Sequence, residues 1–146
     1  MADGLARAGE IAQAARALAF EWLSIETVVI IHDEQLAEHG GAEGLRDRAL
    51  LESALARPQT LAAYGGRVKA SALAAAYAGG IVRNHPFVDG NKRTGWLAAA
   101  TFLALNGFSL EAPQPGVVVV VEALAAGAMS EAEFASWLEA HVAPGG

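Results

Sequence analysis

Apolar residues recur along this chain in helical steps, and little of it alternates as a half-buried strand would. Val28, Ile31, Gln35 and Leu36 fall near helical spacing and predict a helix over about 26–39. Ser24 or Thr27 is its candidate N-cap, and Gly40-Gly41 stops it. A second helix is predicted near 47–56, capped by Asp47, with Leu50, Leu51, Ala54 and Leu55 as its apolar face. Pro58 stands just past its end. Pro58, Gly65 and Gly66 make 57–67 the least helical part of the first half, a loop or small hairpin. From Lys69 to Arg83 the pattern is strong. Leu73, Ala76, Tyr77, Gly80 and Ile81 recur at i, i+3, i+4, i+7 and i+8, and the small residues between them permit close packing. Another apolar helix runs from about Asn91 to Asn106, closed by Asn106-Gly107.

Two final helices are predicted at 114–126 and 130–142. Pro115 suits the first turn of one, and Ser130 with Glu133 forms a capping box for the other. Val117–Val121 alone would suggest a strand, but its helical surroundings favour helix. Residues 5–20 read as an alanine-rich helix whose Leu5, Ile11, Leu18 and Phe20 make no clean stripe. The chain therefore divides into an N-terminal helical extension, 1–21, and a single all-α domain, 22–146, with no repeat and no low-complexity linker.

Composition narrows this picture. The chain has 146 residues, about one domain's worth; 53% are hydrophobic and 18% charged. The net charge of −6 argues against broad binding to nucleic acid or to anionic membrane. Having no cysteine, the chain has no disulfide, thiolate metal site or cysteine nucleophile. Asp3, Arg7, Glu10 and Arg16 interrupt any export signal. The longest uncharged run, Thr94 to Leu110, falls short of the roughly 20 residues a membrane-spanning helix needs. The expectation is a soluble cytoplasmic protein.

The chemistry concentrates between two strongly apolar helices, in His85-Pro86-Phe87-Val88-Asp89-Gly90-Asn91-Lys92-Arg93-Thr94. His85 can take a proton from an incoming hydroxyl near neutral pH. Asp89 is a hard oxygen ligand suited to magnesium. Gly90 and Asn91 then open a helix, whose N-terminal N–H groups and dipole favour an anion. Lys92 and Arg93 sit in its first turn, where the dipole disfavours cations unless a polyphosphate offsets them. A lone histidine after a helix is usually structural, and an aspartate before one is usually a cap. The ordered set is harder to dismiss.

These residues resemble the Fic/Doc superfamily pattern, His-x-Phe-x-Asp/Glu-Gly/Ala-Asn followed by an arginine five positions later. His85, Phe87, Asp89, Gly90 and Asn91 match its first part. Typical Fic adenylyltransferases continue with Gly-Arg and a second arginine; here Lys92 replaces that glycine and Trp96 that arginine. Lys92-Arg93-Thr94, the stretch from Ile31 to Gly41 and the stretch from Gly44 to Pro58 look like the Doc, or death-on-curing, branch. The resemblance covers roughly 22–142.

It implies a compact helical bundle with a small flap beside the site, and a toxin that phosphorylates a protein threonine, with elongation factor Tu as target. ATP would be the co-substrate with Mg2+. His85 would be the base and Asp89 the magnesium ligand, with Gly90, Asn91, Lys92 and Arg93 on the phosphates. Arg83 reads equally as a further phosphate ligand or as a solvated helix-end cation. The loop at 57–66 would be the flap, with Gln59, Thr60, Leu61 and Tyr64 as its target-facing candidates, or else an ordinary surface connection.

Rival motifs fail. There is no Walker loop, no protein-kinase signature and no His-Glu-x-x-His. His32-Asp33 lacks the upstream histidine that a metal-dependent phosphohydrolase would need, so His32 and His39 read as packing or surface residues. Adenylyl transfer, or a non-catalytic nucleotide- or partner-binding module, remain as alternatives. The inhibitory Ser/Thr-x-x-x-Glu-Gly/Asn signature of many Fic proteins is missing; Glu43-Gly44 comes nearest, but His39 holds the Ser/Thr position. A brake in trans is therefore expected, a separate antitoxin resembling Phd.

Overall fold

A computed structural model describes residues 19–145. The helix expected over 5–20 falls almost wholly outside them; its last two positions, Ala19 and Phe20, are not helical. Phe20 and Trp22 instead pack onto Phe102, and Asn106 holds the backbone of Glu21 by hydrogen bonds of 2.9 and 3.0 Å.

Helix α1 (Ile25–His39) starts at Ser24, whose hydroxyl accepts from Thr27 N–H at 3.1 Å, and ends at Gly40 with φ 79°. Helix α2 (Arg48–Tyr64) starts at Asp47, whose carboxylate accepts from Leu50 N–H at 3.1 Å. It then runs through Pro58 to Tyr64, so of the loop expected over 57–67 only Gly65, Gly66 and Arg67 are non-helical. An interior proline costs about 3 kcal/mol. Here Leu51, Ala54, Leu55, Pro58 and Ala62 make one continuous buried stripe, and their burial outweighs that cost. Gln59, Thr60, Leu61 and Tyr64 accordingly lie on a helix and not on a flap. Gln59 and Thr60 line a shallow depression with Leu23 and Ser24 at the start of α1.

Helix α3 (Ala70–Asn84) is the centre of the molecule. Every residue from Leu73 to Val82 is buried, and α3 packs on α2, on α4 (Asn91–Leu105) and on α6 (Glu131–His141). Glycine sets these crossings. A side chain at Gly80 would lie 3.1 Å from the Ala54 methyl, and one at Gly95 would lie 3.0 Å from Val82 Cγ2. Tyr77 seals one end of the core; burial pushes its hydroxyl up to about 12, and that hydroxyl accepts from Leu23 N–H.

Between α4 and α6 stands α5 (Gln114–Ala125), with Pro115 in its first turn. Its valine run is helical because Val117, Val120, Val121 and Leu124 follow the helical period into the core, leaving Val118 and Val119 exposed. The capping box of α6 is complete, with bonds of 3.0 and 3.1 Å between Ser130 and Glu133. Two strands were not expected: β1 (Phe108–Leu110) pairs antiparallel with β2 (Val142–Pro144), Ser109 opposite Ala143. This small ribbon ties the end of α6 back to the end of α4. The fold is all-α apart from it. Among the described residues, no helix is long and apolar enough to cross a membrane.

Candidate active site

The motif loop joins the C-terminus of α3 to the N-terminus of α4, so it lies between two helices anchored in the core. His85 ends α3 in the left-handed conformation, φ 52° and ψ 51°; it is the one non-glycine residue with positive φ among those described. Such backbone is uncommon outside glycine and asparagine and needs support. Arg46 supplies it, donating from Nε to the His85 carbonyl at 2.8 Å and from its terminal nitrogen to the Asn84 carbonyl at 3.0 Å. The His85 side chain is exposed and makes no hydrogen bond with the described residues. An imidazole held in place through its backbone, with both ring nitrogens open, is placed for proton transfer.

The loop is held from one side by residues 40–47. Val88 N–H donates to Gly44 O at 3.0 Å, Arg46 and Asp47 N–H both donate to Pro86 O, and Leu45 pairs with Phe87. This segment, and not 57–66, takes the place beside the motif that the flap was expected to hold. From below, Phe87 is buried and stacks on His32, ring centroids 3.8 Å apart, and His32 Nε2 donates to Asp89 O at 2.7 Å. His32 is therefore a buried support of the loop, while His39 is exposed beside Glu38.

The sequence reading placed Asn91 on the phosphates. Its side chain is buried and closes the loop, accepting from Phe87 N–H at 3.0 Å and donating to Phe87 O at 2.9 Å. Removing it leaves two backbone groups of Phe87 without partners, each costing about 1–3 kcal/mol when buried. Asn91→Ala should therefore lower the urea midpoint substantially at unchanged m-value. An unchanged midpoint would show the latch to be idle.

Asp89 is exposed. Gly90 N–H donates to one carboxylate oxygen at 2.8 Å and Ala42 N–H to the other at 3.3 Å. These two bonds hold its carboxyl below the usual carboxylate range against an opposing desolvation, and the nearby Arg93 guanidinium adds a smaller lowering. The group is an anion at neutral pH, with lone pairs to spare. No three His, Asp or Glu side chains gather into a metal-binding cluster among the described residues. A single ionised carboxylate fits magnesium that is shared with phosphate oxygens.

Gly90 caps α4 with φ 76° and no side chain, so the first-turn N–H groups meet no capping side chain. Lys92 reaches across to Glu122 of α5, with Nζ 3.0 and 3.1 Å from its two oxygens. Arg93 is exposed and forms no salt bridge among the described residues. Both cations border a cleft of about 510 Å³ between α1, α4 and α5. Arg83 is engaged elsewhere: Glu131 of α6 binds it at 2.9 Å and binds Arg57 as well. The structure thus gathers His85, Asp89, Gly90, Lys92 and Arg93 around one loop and ties Arg83 to α6. Sequence reading missed Arg46, His32 as a loop support, and Glu131. Only Gly44, whose φ of 117° suits a turn that meets the motif, left any local mark of the 40–47 pairing.

An all-helical core presenting a loop-borne histidine before an uncapped, cation-bearing helix N-terminus defines the class, and a family model agrees. The Fic/DOC family matches residues 22–103, and the chain belongs to it. A protein named Toxin Doc from Mycolicibacterium smegmatis is 47% identical over 74 residues, which make up 50% of this chain and 57% of that protein. One named Protein kinase doc from Escherichia phage P1 is 33% identical over 85 residues, covering 58% of this chain and 68% of that protein.

Proposed function

We propose that this chain is the toxin of a type II toxin–antitoxin pair, a Mg2+- and ATP-dependent kinase of a protein threonine. Elongation factor Tu is the proposed target, phosphorylation arrests translation in the cytoplasm, and a Phd-like antitoxin acts as brake. The observation that carries the reading is the open His85 imidazole next to the uncapped, cation-flanked N-terminus of α4. The names of the two relatives support toxin and kinase.

In the proposed reaction the acceptor hydroxyl oxygen forms a bond to the γ-phosphorus. The bond from that phosphorus to the β,γ-bridging oxygen breaks, and ADP leaves. His85 takes the hydroxyl proton. The first-turn N–H groups of α4, with Lys92 and Arg93, offset charge on the phosphate oxygens. Asp89 would hold Mg2+, which neutralises phosphate charge when bound. Arg83 would join the phosphates only after leaving Glu131.

Labelled ATP tests the group transferred. Incubation with cell extract should put γ-label on one protein, and mass spectrometry after induction should find a single added phosphate on a threonine. Label arriving only from α-labelled ATP would replace phosphoryl by adenylyl transfer. Label from neither would leave a nucleotide- or partner-binding module.

A further inference from the structure

We propose that Glu131, the first residue of α6, is a positioning residue for the His85 imidazole and acts through Arg83. This rests on the reading of His85 as the base and adds what fixes that base from the side of α6. Three consecutive residues at the end of α3 are each gripped by a different element. Arg46, in the segment before α2, donates to the His85 and Asn84 carbonyls at 2.8 and 3.0 Å. The Asn84 side chain donates to the Leu50 carbonyl of α2 at 2.9 Å. Arg83 donates from Nη2 to Glu131 Oε1 of α6, also at 2.9 Å. The left-handed turn that carries His85 is thus fixed from three directions, and Glu131 supplies the third.

Glu131 is built as a rigid post. Its side chain is only 19% exposed, whereas both guanidinium groups on it are about half exposed. Arg57 of α2 takes both carboxylate oxygens, Nη1 on Oε1 and Nη2 2.7 Å from Oε2, a fork that fixes the carboxylate plane. Its backbone opens α6 directly after the closed capping box of Ser130. Gly79 makes the room. It is buried in the middle of α3 in ordinary helical backbone, where alanine is the better helix former. A β-carbon there would lie 2.7 Å from Glu131 Oε1 and 3.1 Å from Arg83 Nη2, and the next nearest atom, at 3.5 Å, is Arg83 Cζ. Glycine at 79 is therefore matched to this ion pair and not to the backbone.

An ion pair to a half-exposed arginine adds little stability, so the consequence of this one is geometric. Proton transfer needs the base within hydrogen-bond reach of the acceptor hydroxyl. A rotation of the last turn of α3 carries the imidazole with it, and a displacement of about 1 Å at a reacting group can cost up to about 10²-fold in rate. On this account Arg83 stays on Glu131 during the reaction and does not join the phosphates.

Gly79→Ala and Glu131→Gln break the contact by different routes. The first displaces it with a methyl and leaves every charge in place; the second removes the charge and keeps the shape of the side chain. Both are compared with the wild type by urea unfolding, by the His85 ring signals in a proton–carbon NMR spectrum, and by γ-label transfer from ATP to protein in cell extract. The expected urea midpoint of Gly79→Ala is at or above that of the wild type. In both variants the His85 ring signal should shift while those of His32 and His141 hold, and transfer at saturating ATP should fall roughly tenfold with the KM for ATP unchanged. A merely structural contact would not lower activity where stability is kept. An unmoved His85 ring signal in both variants would overturn the proposal. So would a lower KM for ATP in Glu131→Gln, which would mean that Arg83, once released, goes to the phosphates. If the wild type transfers no γ-label while the His85 signal moves as expected, the positioning contact stands and the kinase reading falls.

Discussion

His85→Ala should lower the rate of the proposed phosphoryl transfer by about 10²–10⁴-fold while leaving the fold intact, the usual contribution of a positioned general base. The asymmetry follows from where the residue's bonds lie. Its side chain is exposed and unbonded to the described residues, whereas its carbonyl is held by Arg46 and its N–H by the Ile81 carbonyl. Truncation removes the proposed base and keeps both backbone bonds. The one structural cost is the left-handed backbone, which alanine tolerates less well than asparagine. His85→Asn is therefore the sharper variant. It suits the backbone, carries no comparable base, and should be as inactive as alanine with stability nearer the wild type. Transfer rates at saturating ATP, with urea unfolding of the same samples, decide the matter. If either variant transfers phosphate within a few-fold of the wild type, the role given to His85 is wrong. If induction of His85→Asn still arrests growth, toxicity does not run through this chemistry.

The gathering of the loop's polar residues was legible in the sequence because it is local. His85, Asp89, Gly90, Lys92 and Arg93 are close along the chain, and the helices on either side carry strong periodic signals. What holds the loop was not legible. Arg46 reaches His85 from 39 positions away, and His32 reaches Asp89 from 57. Nothing in the residue types announces such pairings. Asn91 shows the converse. Its chemistry suits a phosphate ligand, but its buried position commits the side chain to Phe87. Pro58 misled for a different reason. Its local preference to end a helix is real, but it sits on the buried stripe of α2, and packing overrode propensity. The displaced flap follows from that misreading: once 57–64 is helical, the irregular chain nearest the motif is 40–47. The β1–β2 ribbon is three residues a side, too short for alternation to register.

Gly90→Ala should cost about 2–4 kcal/mol of stability, although the Fic/Doc pattern allows alanine at this position. Two effects add. At φ 76° a β-carbon carries the left-handed penalty of roughly 1–2 kcal/mol. The new methyl would also run into Gln35 Nε2 and lie 3.3 Å from Gln35 Cδ, so the buried Gln35 amide would have to turn to make room. Gly107 separates the two effects. It too has positive φ, 86°, but a β-carbon there meets nothing within 4 Å, so Gly107→Ala should show the backbone penalty alone. The difference between the two urea midpoints then reads the clash with Gln35. Shortening that side chain by one methylene should relieve it. Gln35→Asn combined with Gly90→Ala is expected to be more stable than the sum of the single changes predicts, a coupling of the size seen between residues in contact. Equal losses for Gly90→Ala and Gly107→Ala, or strict additivity in the double variant, would show that Gln35 does not dictate glycine at position 90. The coupling, if found, explains why a chain with glutamine at 35 carries glycine where the pattern also allows alanine. The N-terminal end of α4 would then be shaped by a residue of α1 more than fifty positions away.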